Sequence, residues 1–158
     1  KRKALMIKIN VILNNVNWAR YLKRPDIYID KKIKNLNKKN KKYRKKNIHC
    51  TLLLSGNSEI KKLNKKFRNK NKSTDVLSFP FYNKKKLEAK LKSQKEIYLG
   101  DIIVNLNKVK KKNIKDFKLE FNKLWIHGLI HLFGYDHKKI RDYDKMIKIE
   151  KKFLSFLN

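Results

Sequence analysis

The stretch from His127 to His137, H-G-L-I-H-L-F-G-Y-D-H, holds three of the four histidines of this 158-residue chain. Its spacing is H-x-x-x-H-x-x-G-x-x-H. Residues four apart lie on one face of a helix, one turn from each other, so His127 and His131 can reach the same metal ion. Gly134 can adopt the left-handed conformation that ends a helix, and the chain can then fold back to bring His137 to that ion. The pattern predicts a metal-binding helix near the C-terminus.

Three protein ligands around zinc leave a fourth tetrahedral position for water, which is the layout of a catalytic site. The sequence therefore predicts one Zn²⁺ per chain, held by His127, His131 and His137, with a metal-bound water as the reacting group. The alternative is that these histidines pack in the core, as a lone histidine on an apolar helix usually does. Three histidines at this spacing around a helix-ending glycine, in a chain that holds four, favour the metal site.

The residue after His127 limits the mechanism. In the long metalloprotease pattern H-E-x-x-H-x-x-G-x-x-H, a glutamate at this position is the general base for peptide hydrolysis. Here the position is Gly128, which has no side chain. Peptide hydrolysis by that route is therefore not expected. The site would use metal-bound hydroxide directly, a base from elsewhere in the chain, or a nucleophile that the substrate supplies.

Four segments have the apolar patterns of β-strands. Apolar and polar residues alternate from Leu5 to Leu13, and the segment from Ile48 to Ser55 contains a continuous apolar run that is typical of a central strand. Residues 73–80 predict a third strand, closed by a proline. Residues 97–105 predict a fourth, in which Gly100 indicates a bulge or a close approach by another backbone.

Segments whose apolar residues have helical spacing lie between these strands and after the last one. Pro25 begins one helix, and Gly56 to Glu59 lead into a short second helix. We expect three residues of that second helix to face inward: Ile60, Leu63 and Phe67. The chain is helical again from Leu106 to Gly134, and a last amphipathic helix carries Met146, Ile149, Phe153 and Leu157 on one face. Residues 83–95 are polar and basic, and we expect an excursion or a hairpin tip there. The order β-α-β-α-β-β-α-α-α predicts a single α+β domain over residues 1–158, a small mixed four-stranded sheet packed with helices.

The charge of the chain points to a polyanionic partner. Lys plus Arg number 44 and Asp plus Glu number 13, which gives a net charge of +31. A field of this sign attracts nucleic acid. Lys, Asn and Ile share AT-rich codons, however, so drift in an AT-rich genome would also raise the lysine count. The sign therefore supports a nucleic-acid partner, whereas the magnitude does not measure affinity.

Composition also excludes several classes of protein. The longest apolar runs are far shorter than a membrane span, and the start of the chain does not have the apolar stretch of a secretory signal. Cys50 is the only cysteine, which excludes an intrachain disulfide and a cysteine-based metal site. We expect a protein of the reducing cytoplasm that does not act at a membrane.

Several blocks resemble one known family in the family's own order. The histidine block, together with L-N-K-K-F-R at 63–68, T-D-V-L-S-F-P at 74–80 and L-G-D-I at 99–102, resembles the YbeY endoribonuclease family, the bacterial rRNA maturation factors. Met146 and Glu150 fall where the last helix of that family carries M-x-x-x-E. The N-terminal third matches only in its strand-then-helix outline, and the lysine-rich residues between Phe81 and Ile97 depart from the family in composition.

The resemblance implies a single-strand-specific, metal-dependent endoribonuclease. Such proteins act in rRNA processing, notably maturation of the 16S rRNA 3′ end, and in ribosome quality control. The expected metal is zinc, with His127, His131 and His137 as ligands and Arg68 as the active-site arginine. The implied partners are single-stranded rRNA and the ribosome, with a ribosomal protein or a ribosome-assembly GTPase as a further partner, and no DNA is expected.

The chemistry of Arg68 suits this role. Cleavage of a phosphodiester builds negative charge on the nonbridging oxygens, which a metal ion and a guanidinium stabilise. A guanidinium offers two parallel N–H donors to a phosphate, and a lysine does not. Arginine is scarce in this lysine-rich chain, which favours a function for Arg68. The alternative is a surface arginine on a basic helix.

Other residues and other functions stay open at this point. Asp136 is either an acceptor that orients a metal ligand or a turn carboxylate that caps its own backbone. Ser78 is a polar group near the cleft or a packed strand residue, and Trp125 is expected in the core. Two further functions fit the same histidines: a zinc hydrolase of a non-RNA substrate, and a non-catalytic ribosome-assembly factor with a structural metal.

Overall fold

A mixed four-stranded sheet forms the centre of the computed structural model, which describes residues 6–43 and 45–158. The strands are β1 (Ile7–Leu13), β2 (Asn47–Ser55), β3 (Val76–Pro80) and β4 (Glu96–Asn105). Their order in the sheet is β1-β2-β4-β3, with β2 parallel to β1 and β4, and β3 antiparallel to β4. The predicted α+β class and the four strands are confirmed, with β2 central. Leu5, the expected first residue of β1, lies outside the described residues.

The helices flank this sheet. They are α1 (Pro25–Lys39), α2 (Asn57–Arg68), α3 (Lys84–Ser93), α4 (Ile114–Leu132) and α5 (Ile140–Ser155), with 3₁₀ turns at Val16–Arg20 and Leu106–Lys108. The helical segment expected from Leu106 thus begins as a 3₁₀ turn, and α4 itself starts after Asn113, whose side chain accepts from the backbone N–H of Asp116. Within the two described ranges, no helix combines the length and the apolar composition of a membrane-crossing segment.

Helix α3 corrects the expectation of an excursion or hairpin tip at residues 83–95. Asn83 caps the helix by accepting from the N–H of Lys86 at 2.9 Å. Leu87 is 2 % exposed, and Leu91, one turn later, packs partly against the same core. Two leucines at helical spacing, which pack against the core, and an N-terminal cap therefore stabilise a helix in a segment whose composition is otherwise polar.

The main core lies on one side of the sheet, here called the inner face, where α1 and α4 pack. Trp18, Phe121 and Trp125 are fully buried there, as expected for Trp125. Trp18 lies in a 3₁₀ turn, its indole N–H donates to the carbonyl of Ser55 at 2.9 Å, and its ring lies 5.1 Å from that of Phe121. The buried indole N–H of Trp18 therefore has a hydrogen-bond partner.

The opposite side, the outer face, is covered only in part. Helix α2 lies over it, where Ile60, Leu77 and Ile103 form a small second cluster. Phe67, in the last turn of α2, was expected to face inward, and that prediction is wrong. It extends past this cluster, contacts the ring of Phe79 at 5.5 Å between centroids, and stays 59 % exposed.

Gly100 forms the irregularity that its position in the strand predicted. Its φ is +132°, and a Cβ atom there would lie 2.2 Å from the carbonyl oxygen of Phe79. The register between β2 and β4 shifts at the same level, between His49 and Thr51. The bulge places Tyr98 and Asp101 on the same outer face, where they share a hydrogen bond.

A second glycine sets how closely α4 approaches the sheet. A Cβ atom on Gly128 would lie 2.5 Å from Cγ2 of Ile102 and 3.2 Å from Oγ of Ser78. The Ser78 hydroxyl instead donates to the carbonyl of Gly128 at 3.3 Å. The last turns of α4 therefore pack directly on the side chains of Ser78 in β3 and Ile102 in β4, and α4 contributes no side chain of its own at this contact.

We expect Gly128→Ala to destabilise the fold. Overpacking a core costs about 1–3 kcal/mol, and the better helix propensity of alanine returns at most about 1 kcal/mol, so the expected net loss is about 1 kcal/mol. Urea unfolding of the wild type and the variant measures it.

A double-mutant cycle with Ile102→Ala identifies the cause. If the clash with Ile102 is responsible, Gly128→Ala should cost nothing in the Ile102→Ala background, because the new methyl group occupies the vacated space. An equal cost in both backgrounds would contradict this explanation.

Candidate metal centre and active-site cleft

The end of α4 brings the three clustered histidines together. His127 and His131 project from successive turns, and their Nε2 atoms lie 3.0 Å apart. Helix α4 ends at Leu132, and Gly134 follows with φ +95°, as its position predicted. The chain reverses there, and one nitrogen from each histidine, His137 included, lies within 4.8 Å of the others.

A Schellman motif fixes this reversal. The N–H of Tyr135 donates to the carbonyl of Ile130 at 3.3 Å, and the N–H of Gly134 donates to the carbonyl of His131 at 3.0 Å. These two bonds satisfy carbonyls that a helix end otherwise leaves without partners. The turn therefore positions His137 through the backbone rather than through packing of its own exposed side chain.

Hydrogen bonds determine which ring nitrogens face each other. Nδ1 of His131 lies 2.9 Å from the carbonyl oxygen of Tyr135, and Nδ1 of His127 contacts the carboxylate of Glu150. A carbonyl and an ionised carboxylate only accept, so both Nδ1 atoms carry the proton. In the neutral rings, the two facing Nε2 atoms then present lone pairs to each other.

This donor set fits a metal ion of the zinc class. Two lone pairs 3.0 Å apart repel unless a cation lies between them, and two nitrogen ligands of one tetrahedral zinc ion lie about 3.4 Å apart. Imidazole ligands with fixed Nδ1 partners are the usual protein ligands of such ions. The three histidines could therefore hold one metal ion.

The environment of His131 keeps its ring neutral. Burial lowers the pKa of His131 below its ordinary value, and repulsion from the neighbouring His127 lowers it further, against a smaller rise from the hydrogen bond to Tyr135. A histidine must be neutral to bind a metal ion. The shift therefore favours the binding-competent form.

A cleft of about 770 Å³ opens in front of the histidines. One wall is the end of α4 with the turn that follows it. The other is β3, whose Val76, Ser78 and Pro80 point into the cleft, together with Arg68 at the end of α2. Arg68, predicted from the sequence as a site residue, thus lies in the same cleft as the three histidines.

Arg68 reaches the cleft around the free edge of the sheet. Backbone bonds from Asn105 to Asp75 and from Phe81 to Leu99 show that alternate β3 residues pair with β4. The carbonyl of Ser78 therefore points to the free edge. Nη2 of Arg68 donates to that carbonyl at 2.8 Å, and the guanidinium lies 5.5 Å from the centre of the Phe79 ring.

Comparison of this chain with known proteins identifies its family. A family model described as Endoribonuclease YbeY matches residues 17–158. The chain belongs to the YbeY family. Among curated proteins, it is 46 % identical over 155 residues to "Endoribonuclease YbeY" of Pelagibacter ubique, covering 96 % of this chain and 97 % of that protein. It is 37 % identical over 119 residues to the protein of the same name from Buchnera aphidicola, covering 73 % of this chain and 72 % of that one.

A solved structure supports the same fold. The solution structure of a Thermotoga maritima protein matches with a TM-score of 0.58 and 25 % identity, covering 95 % of this chain and 89 % of that one. The resemblance to the YbeY family stated from the motifs is confirmed by the family model over residues 17–158 and by the curated relatives.

Glu150 is the residue at this YbeY site whose role sequence reasoning missed. It lies in α5 and contacts His127 across 23 positions of the chain. Met146, one turn before it, is buried in the core. The family pattern M-x-x-x-E marked its position, but only the packing of α5 on α4 shows that its carboxylate meets a histidine.

The structure also separates the alternatives for Asp136 and Ser78. Oδ1 of Asp136 accepts from the backbone N–H of His137 at 2.7 Å, so this carboxylate caps its own turn. Ser78 is 7 % exposed and lies between the strand and α4, so it is packed and lines the cleft at the same time. The fourth histidine, His49, lies away from the cleft, half-buried beside Glu96.

The position after His127 has no room for a general base. Gly128 points at Ile102 rather than into the cleft. A glutamate there would collide with the sheet before its carboxylate could reach a substrate. The absence of the metalloprotease glutamate is thus a consequence of how α4 packs.

We expect Glu150→Gln to weaken metal binding without unfolding the protein. The amide oxygen still accepts from Nδ1 of His127 but without a negative charge, and partners of metal ligands are typically worth about 10–100-fold in affinity. Competition between the protein and a chelator for zinc measures the change, for which we expect about tenfold.

Glu120→Gln is the matched control for that substitution. Glu120 pairs with Lys123 on α4 and makes no contact with a histidine. Equal zinc affinity in Glu150→Gln and in the wild type would show that Glu150 does not support the site.

The stability of the metal-free chain should fall as the pH drops through the histidine range. The pKa of His131 is lowered in the folded state, whereas in the unfolded chain it is about 6.5. The unfolded chain therefore takes up a proton first, and acid favours it. His131→Gln should reduce the loss between about pH 7.5 and about pH 5.5, as measured by urea unfolding. Equal losses in the two proteins would contradict the assignment.

Proposed function

We propose that this chain is a zinc-dependent endoribonuclease that cleaves single-stranded RNA, with the 3′ end of 16S rRNA as its substrate in ribosome maturation and quality control. The observation that carries the proposal is the convergence of three histidines and Arg68 in one cleft of a YbeY-family chain. The curated relatives are named endoribonucleases. The net charge of +31 suits a polyanionic substrate.

In this proposal, His127, His131 and His137 hold the zinc ion. When bound there, zinc supplies positive charge for a developing oxyanion and lowers the pKa of a coordinated water to about 7. The protein prepares the ligands in advance. Glu150 and the Tyr135 carbonyl hold the Nδ1 protons of two rings, so their Nε2 atoms are free to bind.

Arg68 would stabilise the phosphate as charge develops on it. One of its N–H groups donates to the Ser78 carbonyl, which fixes the guanidinium at the mouth of the cleft. The remaining N–H groups can bind two phosphate oxygens at once. Because the anchor is a backbone atom of the sheet, the guanidinium is oriented before the substrate binds, which is how electrostatic stabilisation is most effective.

Lysines would hold the RNA backbone without reading its sequence. Lys84, which lies beside Gly134, and Lys138, which follows His137, line the cleft. Contacts of this type position a nucleic acid and carry no base specificity. Specificity for rRNA would then come from the ribosome, through a ribosomal protein or an assembly GTPase.

A reducing cytoplasm is the proposed location, because the sequence holds a single cysteine, Cys50, and therefore no intrachain disulfide. Burial raises the pKa of the Cys50 thiol to about 12, with a smaller effect from Asp101. The thiol is therefore protonated and enclosed at neutral pH, which makes it an inert core residue.

The direct test is cleavage of a defined RNA before and after removal of metal. The purified protein should cut an unstructured RNA and leave a duplex of the same sequence intact, and a chelator should abolish the cut until zinc is returned. Undiminished cleavage by the metal-free protein would contradict the metal-dependent mechanism. Absence of any cleavage, with zinc bound, would favour a non-catalytic assembly factor.

We expect Arg68→Lys to lose most of the cleavage rate while keeping the fold and the zinc. The substitution retains the charge but loses both the anchor on Ser78 and the bidentate geometry. Loss of one such contact in the transition state is typically worth about 3 kcal/mol, or roughly a hundredfold in rate. Cleavage, RNA affinity and unfolding are measured on one preparation.

Arg24→Lys is the matched control for that variant. Arg24 is an exposed arginine that pairs with Asp26 at the start of α1 and does not line the cleft. Near-normal cleavage by Arg68→Lys would make Arg68 an ordinary surface charge. A large loss of stability would make it a structural residue instead.

A further inference from the structure

Aromatic rings lie on the outer face of the sheet, beside the cleft, where Phe79 is half-buried and its neighbours are exposed. Four of them, here called the aromatic strip, are Phe67, Phe79, Phe81 and Tyr98. Phe81 is 65 % exposed, Phe67 59 % and Tyr98 38 %. The rings lie in two contacting pairs, with 5.5 Å between the centroids of Phe67 and Phe79 and 6.0 Å between those of Phe81 and Tyr98. Exposed apolar surface of this kind marks an interaction site.

The strip and the cleft lie on the two faces of the same edge strand. Side chains alternate along β3, so Ser78 and Pro80 face the cleft while Phe79 faces outward. Phe81, which follows the strand directly, contacts the outer-face ring of Tyr98. Phe79 and Phe81 are two residues apart, which corresponds to about 7 Å along an extended chain. Because β3 is at the edge of the sheet, a bound chain can pass from one face to the other around it.

Two contacts join the strip to the lining of the cleft. The guanidinium of Arg68, which lines the cleft, lies 5.5 Å from the centre of the Phe79 ring. Tyr82, which also lines the cleft, meets the Phe81 ring edge-on at 4.9 Å. The strip is therefore continuous with the proposed active site at both Phe79 and Phe81.

The rings are held in place and have cations beside them. The Tyr98 hydroxyl donates to Asp101 and shares a 2.8 Å hydrogen bond with Thr51, which fixes its ring. Nζ of Lys66 lies 5.2 Å from the centre of the Phe67 ring. Asp101, which accepts from the Tyr98 hydroxyl, lies opposite Phe79 in the sheet, whereas the cations Lys66 and Arg68 lie beside the Phe67 and Phe79 rings.

We propose that the aromatic strip is a base-stacking subsite for single-stranded RNA, holding nucleotides that flank the phosphate in the cleft. This inference rests on the proposed function. Aromatic rings beside cations are the pattern of single-strand binding surfaces, because every base has a face that stacks and every nucleotide has a phosphate. The bases of a duplex are already stacked and paired, so the strip would also select single strands.

Binding of a cleavage-resistant RNA tests the subsite separately from the reaction. The probe is a ten-nucleotide oligoadenylate with 2′-O-methyl riboses and phosphorothioate linkages. The matched control probe is an abasic oligomer with the same backbone and charge. Phe67→Ala and Phe81→Ala should each weaken oligoadenylate binding about tenfold, within the range that stacking of one base contributes. Neither should change binding of the abasic oligomer.

Two further variants serve as controls. Phe81→Tyr keeps a ring and should bind like the wild type. Ile114→Ala removes an apolar side chain that is 57 % exposed at the far end of α4 and should leave both affinities unchanged. Thermal unfolding of each variant confirms that the fold is kept.

The outcomes separate this inference from the proposed activity. Unchanged oligoadenylate affinity in both alanine variants would overturn the subsite and leave the strip as a face for a protein. Equal losses for the base-bearing and the abasic oligomers would also overturn it, because stacking needs bases. A wild-type chain that shows the expected base-dependent binding but cleaves no RNA would support the subsite and refute the proposed endoribonuclease activity.

Discussion

The contact between Gly128 and the sheet is the constraint on which the site depends. A Cβ atom at this position would lie 2.5 Å from Ile102, so only glycine lets the last turns of α4 rest on β3 and β4 at this distance. Consecutive helical residues point about 100° apart, and with Gly128 against the sheet, His127 lines the cleft facing β3. The same contact that stabilises the fold therefore places His127 opposite the strand that anchors Arg68. It also excludes a glutamate base from this position.

Around this contact, the three histidines are oriented by partners outside their own cluster. The Schellman turn at Gly134 delivers His137, the Tyr135 carbonyl orients His131, and Glu150 orients His127. These partners come from a helix end, a turn and a separate helix. The histidine cluster is thus pre-organised by backbone hydrogen bonds and by the packing of α5.

Local features of the fold and site could be predicted from the sequence. The helical spacing of His127 and His131, the left-handed Gly134 and the bulge at Gly100 follow from the geometry of a few neighbouring residues. Features that depend on tertiary packing could not. Helix α3 is held by Leu87 in a polar segment, Phe67 is exposed because α2 extends past its cluster, and Glu150 meets His127 only once α5 packs on α4. Arg68 was found through its motif, whereas its anchor on the free edge of β3 is visible only in the structure.

Zinc titration of the metal-free protein, with RNA cleavage followed in the same samples, tests the central claim most directly. Cleavage should rise in proportion to added zinc and level off at about one equivalent per chain, as a site of three histidines with an open fourth position requires. A variant with alanine at His127, His131 and His137 should neither bind that equivalent nor gain activity. Full zinc binding by the triple variant, or cleavage that does not depend on zinc, would contradict the account.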